Sequence, residues 1–357
     1  MKNKFISIIL TLILCFSTVL ALVSCNDKEN EEKPSDTESE VGTREEETLP
    51  PPLDIADIDD LSYVLTSDEK SYSVYGLFHK GGAKKIVIPS EYDGLPVTAI
   101  SESAFSSCEP LEEVVIPDSV THIGSYAFDG CINLNTVDMS SNLVYVGDAA
   151  FDGCDSLPLK EYRNALYLGD KDTPYIMLMK AVDTEIESCA VHDDTKIIYD
   201  YAFLDCTEID EIIIPSGIKH IGSYAFENCY DLFPSNSDYK NAYYLGNAAN
   251  PYLVLVETKG RRELSSLTIH EDTEIIAPGA FEGCESLTSI TIPENVRVIG
   301  QYAFEGCSKL TEITLPFSQW RVINGEAISV CVLVDTEDDK IVERLSEIYY
   351  YCTWIKK

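Results

Sequence analysis

Twelve cysteines and five histidines are the residues of this chain that could hold a metal or run redox or nucleophilic chemistry. Thiolates and imidazoles bind zinc when they fall in closely spaced pairs such as Cys-x-x-Cys. The chain has no such pair. Instead, Cys108, Cys131, Cys154, Cys206, Cys229, Cys284 and Cys307 each close the same phrase, Ala-Phe-x-x-Cys. They read as small buried hydrophobes in a stack. Cys189 takes the place of an apolar strand residue, and Cys15 and Cys25 belong to the apolar N-terminal segment. Cys331 and Cys352 lie beyond the repeats, where a disulfide is open to an exported protein. The histidines follow the same periodicity: His122 and His220 share one repeat position and His192 and His270 another, while His79 precedes the repeats. Equivalent positions on separate coils do not converge on a point, so no catalytic residue, metal or cofactor is expected. Ser67 and Lys70 match a serine-x-x-lysine pattern but stand in a turn without companion motifs. Acidic pairs such as Asp193-Asp194 and Asp338-Asp339 read as solvated surface. The chain is therefore expected not to be an enzyme.

The elements that carry these residues are repeats. The phenylalanines of the phrase fall at 105, 128, 151, 203, 226, 281 and 304, mostly 23 residues apart. A fixed period of this length marks a solenoid, in which each coil buries its apolar face against the next. Within the unit 111–133, Val114 and Ile116 alternate with Glu113 and Val115, the period of a short half-buried strand. Pro117, Pro215 and Pro293 end that strand, since proline cannot donate to a ladder. A second extended piece, V-x-x-I-G, leads into the Ala-Phe turn. About eight equivalent strands at ~4.8 Å predict one parallel sheet roughly 40 Å long, with stacked phenylalanines and cysteines inside. The two long gaps are themselves a copy: EYRNALYLGDKDTPYIMLMKA at 161–181 matches DYKNAYYLGNAANPYLVLVET at 238–258. Each reads as a hairpin, with strands near Ala165–Leu168 and Tyr175–Met179 in the first, projecting from the solenoid edge.

The template L-x-x-I-x-I-P-x-x-V-x-x-I-G-x-x-A-F-x-x-C resembles the BspA-type leucine-rich repeat of bacterial surface proteins over roughly residues 83–316. The resemblance implies a β-rich α/β solenoid. This would be a right-handed leucine-rich repeat superhelix of 23-residue units with a parallel sheet, two inserted hairpins and terminal caps. It also implies a role in adhesion or in binding other macromolecules.

Outside the repeats the composition changes. Residues 1–25 resemble a bacterial lipoprotein signal: Lys2 and Lys4 open it, Phe5–Leu22 is apolar, and Leu-Val-Ser precedes Cys25, the expected site of lipidation. Acylation there would hold the chain on the extracytoplasmic face of the bacterial cell membrane, at the cell surface. Residues 26–60 are acidic and proline-punctuated and read as a disordered linker. An N-terminal cap hairpin is expected over 61–82. The solenoid is expected over 83–316 with inserts at about 157–185 and 232–263, and a C-terminal cap over 317–357. In that cap Thr336–Tyr350 reads as a helix. A net charge of −35 argues against nucleic acid and against any membrane contact other than the anchor.

Two surfaces could bind a partner. The outward strand positions form a flat strip that includes Glu113, Val115, Thr136, Asp138, Glu211, Ile213, Ser289 and Thr291. This strip suits a protein partner. The hairpins carry Tyr167, Tyr175, Tyr243, Tyr244 and Tyr252, aromatic surface that would suit a glycan.

Overall fold

The computed structural model describes residues 49–66, 69–232 and 238–314, together with strands at Trp320–Asn324, Val332–Val334 and Cys352–Lys356. Most coils carry two short parallel strands; the coil from Leu264 has only the second, Ile275–Ile276. The first is the alternating one, as in Glu113–Val115, whose ends face outward while Val114 is fully buried. The second is the V-x-x-I piece, as in His122–Ile123. Equivalent residues one period apart pair directly: Glu113 with Thr136, His122 with Tyr145, Ser188 with Glu211.

The Ala-Phe turns stack as the period requires. Phe105, Phe128 and Phe151 lie face to face at 5.4 and 5.2 Å, Phe203 on Phe226 at 5.8 Å, and Phe281 on Phe304 at 5.1 Å. The phenylalanine amide donates to the alanine carbonyl of the next coil at 2.8 Å, as in Phe105 to Ala127 and Phe128 to Ala150. The cysteine then donates back to the preceding phenylalanine carbonyl: Cys131 to Phe105 at 3.2 Å, and Cys154, Cys229 and Cys307 to Phe128, Phe203 and Phe281 at 3.1 Å. Cys108, Cys131, Cys154, Cys189, Cys206, Cys229, Cys284 and Cys307 are free thiols.

The single long sheet expected from the period is broken. The first strands form three separate sheets, Lys85–Val87 with Glu113–Val115 and Thr136–Asp138, then Ser188–Ala190 with Glu211–Ile213, then Ser289–Thr291 with Glu312–Thr314. The second strands also fall into three groups. Both breaks lie at the inserts, so the solenoid is three blocks. The inserts themselves do not project. Met177–Ala181 pairs in parallel with Ile197–Ile198 and takes the place of a coil's second strand, while Ala165–Leu168 and Lys160–Tyr162 continue antiparallel beyond it. Ala165, Tyr167, Leu168, Met177 and Leu178 are all inaccessible. The second insert repeats this with Val254–Thr258 on Ile275–Ile276. The physical reason is apolarity on both faces of the inserted strands, which can be buried only inside the stack.

An inserted coil has strands but no Ala-Phe turn, and this leaves a gap in the turn ladder. At the first junction side chains fill it. The amide of Phe151 donates to the phenol oxygen of Tyr199 at 2.8 Å, and that of Ala149 to Asp200 Oδ2 at 2.8 Å. The other Asp200 oxygen accepts from the amide of Ser223, also at 2.8 Å. The glycine of V-x-x-I-G reports the same geometry. A Cβ on Gly147 or Gly222 would lie 2.5 Å from a backbone nitrogen of the coil below. Positions 199 and 277 follow inserts, lie over no turn, and carry Tyr and Ala.

The ends also differ from expectation. Part of the segment read as linker is folded: Leu53 and Ala56 bridge in parallel to Ala83 and Ile86, and Ala56 is fully buried. Its apolar spacing matches the edge of the first sheet, and prolines at 51 and 52, which have no N–H, are tolerated there. Leu61–Leu65 pairs antiparallel with Tyr72–Leu77. At the far end Trp320–Asn324 and Cys352–Lys356 pair antiparallel, and the latter adds to Val298–Ile299. The helix expected over Thr336–Tyr350, the pairing of Cys331 with Cys352, and the segment around Cys25 lie outside the described residues.

Candidate functional site

The outward strip has the exposure its alternation requires. Thr136, Asp138, Glu211, Ile213, Ser289 and Thr291 are exposed, and Glu113 and Val115 are half-buried. Ile213 is 40% exposed although it is a large aliphatic residue on a strand. Between strands the strip is polar and braced, with Lys85 Nζ 2.7 Å from Glu113 Oε1. Because the sheet is broken, these eight residues occupy three short surfaces. Glu113, Val115, Thr136 and Asp138 share the first, Glu211 and Ile213 the second, and Ser289 and Thr291 the third.

The insert tyrosines are placed differently from the expectation. Tyr167 and Tyr244 are 0% and 1% exposed, so neither offers a ring to a ligand. Their hydroxyls accept the amides of His192 and His270 at 3.3 and 3.2 Å. Tyr175 and Tyr252 are half-buried and stack on those same histidines, at 4.0 and 3.7 Å between centroids. Tyr162 and Tyr239 meet the same imidazoles edge-on at 4.8 Å. Lysine ammonium groups lie over Tyr175 and Tyr243, Lys160 at 4.9 Å and Lys259 at 4.4 Å. The two inserts thus carry the same cluster, which locks each inserted coil to the next one.

Two buried titratable groups, Asp200 and His220, lie against residues of the first block. Burial, with the nearby charge of Asp148 adding to it, pushes the Asp200 carboxyl up to about 7. Burial pulls His220 down to about 3, with its ring 4.7 Å from that of Tyr145. Among the described residues no group of His, Cys, Asp and Glu is arranged to hold a metal.

One exposed row escaped the reading of the sequence. Tyr126, Tyr201 and Tyr224 open the Ala-Phe turns, are 45%, 49% and 45% exposed, and stack where coils adjoin, Tyr201 on Tyr224 at 5.5 Å. Each holds a left-handed backbone, with φ of 57°, 55° and 55°. An L-residue pays about 1–2 kcal/mol for that conformation. The signal was present in the SYAF, DYAF and SYAF of these three turns, which place tyrosine at a position whose conformation favours glycine or asparagine.

Sequence and structure together decide the family. The model of the BspA type leucine rich repeat region matches in six copies over residues 75–166, 182–244 and 259–355. The chain belongs to the BspA-type leucine-rich repeat family. Among solved structures, a BspA-type chain such as this one is similar to the leucine-rich repeat protein of T. pallidum. The two are 25% identical over 71% of this chain and 88% of that one, with a TM-score of 0.32. It is also similar to a leucine-rich cell surface protein of Faecalibacterium prausnitzii, with 21% identity over 78% and 93% of the two chains and a TM-score of 0.32. A leucine-rich repeat protein of Bacteroides capillosus is 31% identical over 28% of this chain and 75% of its own, with a TM-score of 0.26. No curated protein matches the chain.

Proposed function

We infer that this BspA-type chain is a non-enzymatic bacterial surface protein, held to the membrane by lipid on Cys25, that binds a protein partner through its repeat face. The observation that carries the reading is aliphatic surface on the outward strands, Val115 beside Glu113, Thr136 and Asp138 on the first surface and Ile213 beside Glu211 on the second. Flat, partly apolar strips of this kind suit protein interfaces, and repeat scaffolds use extended surfaces in this way. The test is a pull-down of candidate surface and matrix proteins with wild type, a Val115→Lys/Ile213→Lys variant and a Tyr243→Ala/Tyr252→Ala variant. Loss of capture in the first variant alone supports the repeat face. Loss in the second alone, with signal on a glycan array, supports the glycan reading.

The anchor is tested separately. Cys25→Ala should release the chain from the membrane fraction of the expressing bacterium. Undiminished retention would count against acylation.

A further inference from the structure

The two inserts interrupt the turn ladder in the same way, but only one interruption is filled. At the first, Tyr199 and Asp200 supply acceptors to the amides of Phe151 and Ala149. At the second, the equivalent amides are those of Phe226 and Tyr224, and the equivalent of the Tyr199-Asp200 pair is Ala277-Pro278. Neither amide has an acceptor among the described residues. Ala277 has no polar side-chain atom, and Pro278 has neither an acceptor side chain nor an N–H. The result is an open cleft between the second and third blocks, lined by Tyr224, Phe226, Ala277, Pro278 and Tyr302. Its charged lining is Glu227, Glu257 and Glu282 against the single cation Arg261, which is already paired with Glu257 and Glu282.

Two amides at alternate residues call for two acceptor oxygens at alternate residues of whatever chain lies against them. Inside the stacks those acceptors are main-chain carbonyls of the next Ala-Phe turn, as when Tyr201 donates to Ser223 at 3.0 Å and Phe203 to Ala225 at 2.8 Å. We propose that this cleft receives an extended segment of a partner protein, whose carbonyls accept from Tyr224 and Phe226 and whose lysine or arginine side chains face Glu227, Glu257 and Glu282. Charge selects the sequence class: the surplus of carboxylates in the lining, on a chain of net charge −35, favours a basic segment over an acidic one. The half-buried Tyr302 and exposed Tyr224 flank the segment with aromatic surface. This site is separate from the outward strip, and its test does not depend on the strip binding anything.

The experiment titrates the full chain, 15N-labelled, with a blocked heptapeptide of alternating lysine and valine and with its glutamate counterpart. The amide resonances of Tyr224 and Phe226 should shift with the lysine peptide. The double substitution Ala277→Tyr/Pro278→Asp copies the first junction into the second and should weaken that binding at least tenfold. Glu227→Lys/Glu282→Lys, at surface positions away from the packed core, should weaken it comparably and guards against a misfolded plug variant. Glu109→Lys, at an exposed position of the first block, should leave it unchanged. Equal affinity for the glutamate peptide would overturn the proposal, as would undiminished binding by the plugged variant. So would a dimer of the chain that the plug dissociates while neither peptide binds, since a second copy would then be the occupant.

Discussion

The phenol oxygen of Tyr199 accepts the amide hydrogen of Phe151 at 2.8 Å, across 48 residues of sequence. It also donates to Asp152 Oδ1 at 3.2 Å. One side chain therefore does for the first block what a main-chain carbonyl does inside every stack. Replacing it with phenylalanine strands the Phe151 N–H in a buried position, a loss of about 1–3 kcal/mol. Urea unfolding of Tyr199→Phe should show that loss. A change below ~0.5 kcal/mol would mean that the junction holds without this bond.

Phe128 is fully buried with rings stacked on both faces, whereas Phe304 ends its stack and is half-buried. Phe128→Ala should cost about 3–5 kcal/mol and Phe304→Ala clearly less. Thermal unfolding of the two variants side by side checks the order. Equal losses would contradict the three-block arrangement.

The buried Asp200 gives stability a definite pH dependence. Its carboxyl is raised from 3.8 to about 7, so between those values the folded chain holds a proton that the unfolded chain has released. Stability from this group falls as pH rises through that window and is flat above it. His220, lowered from 6.5 to about 3, acts oppositely: the unfolded chain carries the extra proton, so stability rises with pH up to about 6.5. Asp200→Asn removes the first contribution and keeps the second. The slope of unfolding free energy between pH 5 and 6.5 should then become more positive, by up to ~1.4 kcal/mol per pH unit. An unchanged slope would show that Asp200 ionises normally in the folded chain.

Burial pushes the thiols of Cys189 and Cys229 up to about 12, and that of Cys206 up to about 11. Cys108 is also raised by burial but is partly exposed. Iodoacetamide at pH 8, followed by peptide mass mapping, should label Cys108 first among these four and reach the others only in denaturant. Native labelling of Cys229 at the rate of Cys108 would contradict the packing of the turn.

The repeat was legible because each of its rules is local. Alternation at 113–116 needs only neighbouring residues to say which side is buried, and the constant interval between phenylalanines says what they meet. The fate of the inserts was harder to see. Met177 and Leu178 look like half of a surface hairpin until their register with Ile197 and Ile198 makes them a coil. The junctions did leave a trace. V-x-x-I-G loses its glycine at Tyr199 and at Ala277, the two positions with no full turn beneath them. Reading that loss requires knowing that Gly222 would collide with Tyr199 and Asp200 if it carried a Cβ. Burial of Tyr167 and Tyr244 was equally hidden, because their acceptor role toward His192 and His270 arises only once the coils are stacked.

The three blocks also differ from a uniform rod in their response to force. Ladders within a block are sheared or peeled bond by bond. Between the first two blocks, hydrogen bonds are made by side chains, such as Asp200 with Ala149 and Asp148 with Ser223. Tension drawn along the chain should therefore find its weakest planes at the inserts and release length in block-sized steps. At ~3.3–3.6 Å per residue, a 75-residue block supplies on the order of 25 nm of slack. A molecule built this way would act as a shock absorber, extending in stages before its last stack opens.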